Sequence, residues 1–189
     1  MIDLTILVCS TINRAENFYP AIMRQLKAQT AGKNNVQVVC ISDNNIMNIG
    51  SKRNWLMDMA LGKYISYVDD DDLLSDNYVD SLLSKVSENS DVIVFDVMYN
   101  NGSLKKRVLY DFNFFEDADG GDVFYRIPNH LMCFNASIAR IASFKDINWG
   151  EDAIWAKEIK KHIKTQSRIS EVLYTYKDNS ETSESRKRQ

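Results

Sequence analysis

No stretch of this chain comes near the roughly 18 consecutive apolar residues that a membrane-spanning helix needs, so nothing reads as a transmembrane segment. Positive charge is missing from the start. Residues 1–4 carry Asp3 where an export signal needs Lys or Arg, which predicts a chain without such a signal. Cysteine is scarce and odd in number. Cys9, Cys40 and Cys133 lie far apart in apolar segments, with neither zinc spacing nor a nucleophile setting. They read as buried free thiols of a reducing, cytoplasmic compartment. Excess positive charge is also lacking: 23 Lys and Arg stand against 26 Asp and Glu, which argues against a surface coated with phosphate-binding groups. No repeat and no linker divides the 189 residues. We expect one α/β domain over residues 1–177 and a polar, fraying tail over 178–189.

What is present concentrates at residues 64–74. An aromatic and β-branched run, 64–68, drives into four consecutive carboxylates, Asp69 to Asp72. Adjacent like charges repel by roughly 1 kcal/mol per close pair even in water. A divalent cation, Mn²⁺ or Mg²⁺, resolves that conflict through hard carboxylate oxygens. The plainer alternative makes the acids the start of the next helix, with Asp72 and a cap at Ser75 or Asp76.

Around this stretch the apolar pattern alternates between strand and helix. Residues 4–10, 36–41, 64–68 and 91–96 read as strands buried on both faces, and 172–176 as a last strand. Helical spacing marks Phe18, Ile22 and Leu26 behind Pro20, then residues 50–61 closed by Gly62, 76–86, a short 137–144, and 151–164. Residues 102–125 read as a hairpin or mobile loop over the site, or as a variable surface excursion. Such alternation is the pattern of an open, mostly parallel sheet, whose ligands bind beyond the carboxyl ends of the strands. Asn13, Asp43 and Asp69 each follow a strand, so three strands aim polar groups at one crevice.

Gly50, Arg53 and Asn54 in G-x-x-R-N, Ala60 to Ile65 in A-x-G-x-Y-I, and the acids after Tyr67 resemble the core signature of family-two glycosyltransferases. The exit of the first strand at Asn13 and Arg14, the second strand ending at Asp43, Gly150-Glu151-Asp152 and the closing strand 173–176 extend the likeness over residues 4–176. The resemblance implies a single-domain GT-A (Rossmann-like) fold, a mostly parallel sheet flanked by helices. It implies metal-dependent transfer of a hexosyl or pentosyl group, with inversion, from a nucleotide-diphosphate sugar (a UDP-sugar) to an acceptor hydroxyl. By the same resemblance Asp69 lies near the donor ribose and, with Asp71, forms the D-x-D metal pair; Asp43 accepts from the donor base; Asp152 is the base.

The residue types suit that chemistry. A leaving diphosphate needs its charge neutralised, and Asn13, Arg14, Lys52, Arg53 and Asp70 join Asp43 and Asp69 as expected donor-binding residues. Arg53 serves equally as an internal partner of the aspartates. If the strand alternates through the acids, neighbours point to opposite sides, so Asp70 and Asp72 cannot both join Asp69 and Asp71 as direct ligands. Glu151 and Asp152 stand in a helix's first turn, where capping explains one of them and catalysis the pair. His130 follows Pro128 in a loop near the crevice and suits acceptor, phosphate, metal or a purely structural bond. For the acceptor, a glycan is the family default. A modified DNA base is the alternative, served by Lys105, Lys106, Arg107 and the basic end of the tail. A nucleotidyltransferase is disfavoured because residues 10–14 contain no glycine for a phosphate loop; a non-catalytic sugar-nucleotide-binding module is the remaining rival.

Overall fold

A computed structural model describes residues 1–14 and 16–178. The tail expectation for 179–189 therefore lies outside the described residues.

Strand β1 (Leu4–Thr11) is buried along its whole length, as its uninterrupted apolar run requires. Helix α1 (Tyr19–Thr30) carries Pro20 in its first turn and buries Ile22 and Leu26. It leads to β2 (Val36–Asp43), then α2 (Ile49–Met59), β3 (Tyr64–Asp69), β4 (Leu73–Leu74) and α3 (Tyr78–Lys85). Strands β2 and β3 flank β1 in parallel. Their register sets Asp43 opposite Thr11 and Asp69 opposite Cys9, so the sheet itself gathers these acids at one edge. Gly62 is not the closing residue of α2, which ends at Met59 with Ala60 as its C-cap. A Cβ at Gly62 would stand 2.5 Å from the Thr5 backbone nitrogen, so glycine is needed there for close approach to β1.

The second half is a mixed continuation of the sheet: β5 (Val92–Asn100), β6 (Lys105–Tyr110), β7 (Ala118–Asp119), β8 (Val123–Arg126), β9 (Cys133–Asn135), α4 (Ala136–Ala139), α5 (Glu151–Lys160) and β10 (Gln166–Lys177). Short β9 bridges β3 and β5 antiparallel, whereas β10 runs parallel to β5 over most of its length. The longest pairings are thus parallel, as expected of this fold. Of the alternatives for residues 102–125 the structure takes the hairpin: β6 returns antiparallel on β5 and β8 antiparallel on β7, and β6 also pairs with β8, with Val108 and Tyr110 burying their side chains. Among the described residues no helix is long and apolar enough to cross a membrane. All three cysteines are free, and Cys40 is exposed instead of buried.

Trp155, only 1% exposed, fixes α5 against the sheet. Its ring stacks on Phe144 at 4.7 Å and meets Phe134 edge-on at 5.0 Å, while its indole N–H donates to the Ala142 carbonyl. Removing so large a buried ring costs about 3–5 kcal/mol. The consequence reaches the site, since α5 opens with Glu151 and Asp152.

Candidate functional site

The strand alternation stops at Asp69. Asp70 to Asp72 form a turn, closed by the Asp72 N–H donating to the Asp69 carbonyl at 3.3 Å, and each acid takes its own direction. Asp69 faces Arg53 at 3.3 Å and His130 at 3.5 Å. Asp70 accepts from the Ser10 hydroxyl at 2.6 Å and pairs with Arg14 at 2.7 Å; Asp71 pairs with the same guanidinium at 2.5 Å. Asp72 points away into the fold, where it accepts from Tyr174 at 2.6 Å and from the Lys177 N–H at 2.7 Å. It caps no helix, because α3 begins only at Tyr78 behind Asn77. The repulsion within the cluster is therefore met largely by the chain's own Arg14, Arg53 and Tyr174.

These surroundings set the charges. Burial raises the Asp69 carboxyl, but Arg53 and His130 overcome it and hold the group below the usual carboxylate range. Burial wins at Asp70, pushed up to about 6 against Arg14, and also lifts Asp71 and, further, Asp72.

Helix α2 delivers two buried cations. Asn48 caps it through the Ser51 N–H. Lys52 then reaches back to Asp43 and to the Ser10 carbonyl, and Arg53 reaches both Asp69 and Glu151. Asp43 also accepts from the Met47 N–H at 2.7 Å; burial raises its carboxyl and the Lys52 bond outweighs that, leaving it low. Across the crevice, Gly150 adopts a left-handed φ of 79° that turns the chain into α5. Glu151 is buried on Arg53, and burial keeps its carboxyl raised. Asp152 lies 3.3 Å from His130 Nδ1, a buried nitrogen with no hydrogen-bond partner; burial opposes ionisation, but the imidazole beside it prevails and holds Asp152 well below the ordinary range. His130 thus spans Asp69 and Asp152. Burial and Arg53 lower its imidazole, and the two carboxylates raise it above them.

Two adjoining cavities result. The smaller, about 300 Å³, lies between Ser10, Thr11, Arg14, Met47, Lys52 and Asp70. The larger, about 650 Å³, is bounded by Arg14, Arg53, Asp69, Asp71, His130 and Asp152 on its charged side. Of the residues expected at the site, Asn13 is exposed and lines neither cavity. Asp43 meets the crevice through Lys52, which lines the smaller cavity itself.

Among the described residues no group of three or more His, Cys, Asp or Glu is arranged to hold a metal ion. Both Asp69 oxygens have chain partners, whereas Asp71 gives one oxygen to Arg14 and lines the larger cavity. The residues suit a cation held by one carboxylate plus donor phosphates, a common arrangement for Mg²⁺.

Tyr174 was missed from sequence. Its hydroxyl accepts from the Asp69 N–H at 3.0 Å and donates to Asp72, so it fixes the turn that carries the acids. A tyrosine in the final strand, 105 residues from Asp69, gives no local signal of that role.

The model of the family described as glycosyl transferase family 2 matches residues 19–147. The structure resembles the crystal structure of S. aureus TarS 1-349 in complex with UDP, with a TM-score of 0.68 and 16% identity over 95% of this chain and 62% of that one. The complex of the same protein with UDP-GlcNAc gives 0.67 and 15%, covering 94% of this chain and 59% of that one. A197 from STIV gives 0.51 and 17%, covering 89% and 82%. The chain thus spans about three fifths of the TarS 1-349 chains, and at these identities the likeness is one of fold. No curated protein sequence matches the chain.

Proposed function

The chain belongs to glycosyl transferase family 2, and from that premise we propose that it transfers a sugar from a UDP-sugar to an acceptor hydroxyl with inversion at the anomeric carbon. The observation that supports this reading most is that Asp69 of β3 and Asp152 of α5 line the larger cavity, while Lys52, paired with Asp43 of β2, lines the smaller one beside it. The bound UDP and UDP-GlcNAc of the TarS structures favour uridine as the donor's nucleoside.

The smaller cavity takes the nucleoside, with Asp43 accepting from the base and Lys52 keeping that carboxylate charged and in place. Arg14 faces the diphosphate. Arg53 is committed to Asp69 and Glu151, so its work is to hold both acids at their stations, and Glu151 is an anchor in place of a second base. Asp70 steadies Arg14 through its ion pair. Asp152 is the base. As the bond between the anomeric carbon and the donor phosphate oxygen breaks, the acceptor oxygen bonds to that carbon and its proton passes to Asp152. A weakly basic carboxylate suits this step, because the hydroxyl proton becomes acidic only as the new bond forms. Mn²⁺ or Mg²⁺ would be held by Asp71 with donor phosphates and would supply a Lewis acid for the leaving charge. A soluble, cytoplasmic setting agrees with the free thiols.

The test is calorimetric titration with UDP, GDP, CDP and ADP, with Mn²⁺ or with chelator. UDP should bind, and Asp43→Ala should weaken it at least about tenfold through loss of a charge-assisted hydrogen bond. Failure of every diphosphate to bind sinks the reading, as does release of pyrophosphate during turnover, which marks a nucleotidyltransferase.

A further inference from the structure

The larger cavity is short of usable positive charge. The described residues that line it carry five carboxylates against four Lys or Arg side chains. A departing diphosphate adds negative charge to that balance, so it needs cations that the chain has not already spent. Three of the four are spent. Arg14 pairs with Asp70 at 2.7 Å and Asp71 at 2.5 Å, and Arg53 with Asp69 and Glu151. Arg126 donates to the Ala118 and Tyr125 carbonyls at 2.9 and 2.8 Å and lies over the Phe124 ring. The fourth is Lys177, the last residue of β10. It is half-buried at the cavity, and among the described residues its ammonium has neither a carboxylate partner nor a hydrogen-bond acceptor. Its backbone, by contrast, is fixed. The Lys177 N–H donates to Asp72 at 2.7 Å, and Tyr174, three residues earlier, holds both Asp72 and the Asp69 N–H. The end of β10 is thus tied to the turn that presents Asp71 to the same cavity.

We propose that Lys177 is a further catalytic residue, whose ammonium binds the terminal phosphate of the donor's diphosphate and stays with it as the leaving group. The proposal rests on the glycosyltransferase reading and adds a residue to its reaction. When the bond between the anomeric carbon and the phosphate oxygen breaks, its electron pair remains on that oxygen. Lys177 meets the new charge with a hydrogen bond and keeps its own proton, since the acceptor's proton passes to Asp152. A lysine suits this work, being a compact charge on a flexible stem that can follow a phosphate oxygen as it withdraws. An arginine already held by two carboxylates cannot move in that way without leaving them unpaired.

The experiment is calorimetric titration of the full chain with UDP, UMP and inorganic pyrophosphate, each with chelator and with Mn²⁺. Lys177→Ala and Lys177→Gln should weaken UDP about tenfold or more, through loss of one charge-assisted hydrogen bond. UMP lacks the terminal phosphate, so its affinity should stay within about twofold, which also certifies the fold of both variants. Lys177→Arg should keep most of the UDP affinity, because the charge remains. UDP affinity indifferent to Lys177→Ala, or an equal loss for UDP and UMP, overturns the proposal, while UDP binding by the unsubstituted chain upholds the donor reading. Pyrophosphate bound in a Lys177-dependent way by a chain that ignores UDP strikes the donor reading and leaves the phosphate station standing. If neither UDP nor pyrophosphate binds, both fall.

Discussion

Among the described residues, buried carboxylates meet arginines both at Asp96 and at Asp69 and Asp70, and the two places differ in what is left over. Asp96, fully buried on β5, accepts from Arg107 Nε at 2.6 Å and from Arg168 at 2.6 Å, and Arg168 also donates to the Tyr110 carbonyl. Asp96 lines neither of the two cavities described above. At Asp69 and Asp70 the same chemistry remains incomplete: Arg14 Nε and Arg53 Nε are buried without a hydrogen-bond partner, and the acids face a cavity of about 650 Å³. Acid–arginine pairing alone therefore marks nothing. What marks a site is pairing that stops short beside open space, because an unmet buried donor carries a cost that a ligand can relieve.

The comparison can be broken by substitution. The largest effect is expected at Asp152→Asn, which should lower transfer about a thousandfold while UDP affinity holds, read by initial rates against calorimetry. Unchanged transfer would remove Asp152 as the base. Next comes Asp96→Ala, which strands two guanidinium groups and should cost about 3–5 kcal/mol in denaturant unfolding with little change in rate per folded molecule. A rate loss without a stability loss would make the two clusters alike after all. Gly62→Ala should cost about 1–3 kcal/mol, because its methyl group must displace the β1 backbone.

The smallest effect is the sharpest. His130 holds the Asp152 carboxyl down, so His130→Ala should shift the acid limb of the rate profile to higher pH, by about one unit for each 1.4 kcal/mol of lost interaction. The stability sign follows from the same depression: a folded-state pKa below the unfolded one stabilises above the unfolded value and is lost as pH falls through the folded value. Asp152→Asn should therefore be less stable than the parent chain at neutral pH, with the gap closing in acid. A gap constant with pH would deny the His130–Asp152 coupling.

Much of this was legible before any coordinates. Uninterrupted apolar runs ending in acids predicted parallel strands delivering Asp43 and Asp69 to one edge, and the register of β1 with its neighbours does so. The partners of Arg53 and Asp72 were less accessible, since Glu151 and Tyr174 lie 98 and 102 residues away and no local period reports such pairs. For residues 102–125 the hairpin alternative was the right one, since β6 and β8 each pair antiparallel with the strand before them, but strands as short as β7 and β8 hold too few residues to show alternation and so to select it. The turn at Asp70 defeated the two-residue period in the same way, since periodicity has meaning only while the strand lasts.

Helix α2 is bound to the segment before α5 at several points. Asn48 and Ser51 both donate to Asp146, the Ile49 N–H donates to the Asn148 side chain, the Gly50 N–H to the Ile147 carbonyl, and Asn54 exchanges hydrogen bonds with Phe144. The side chain missing from Gly50 is what allows the two backbones to touch, since a Cβ there would collide with the Lys145 carbonyl. One mechanical piece therefore carries both the cations beneath the acids and the approach to Asp152. A side chain introduced at Gly50 would therefore disturb Lys52, Arg53 and the entry to α5 together, through a single contact.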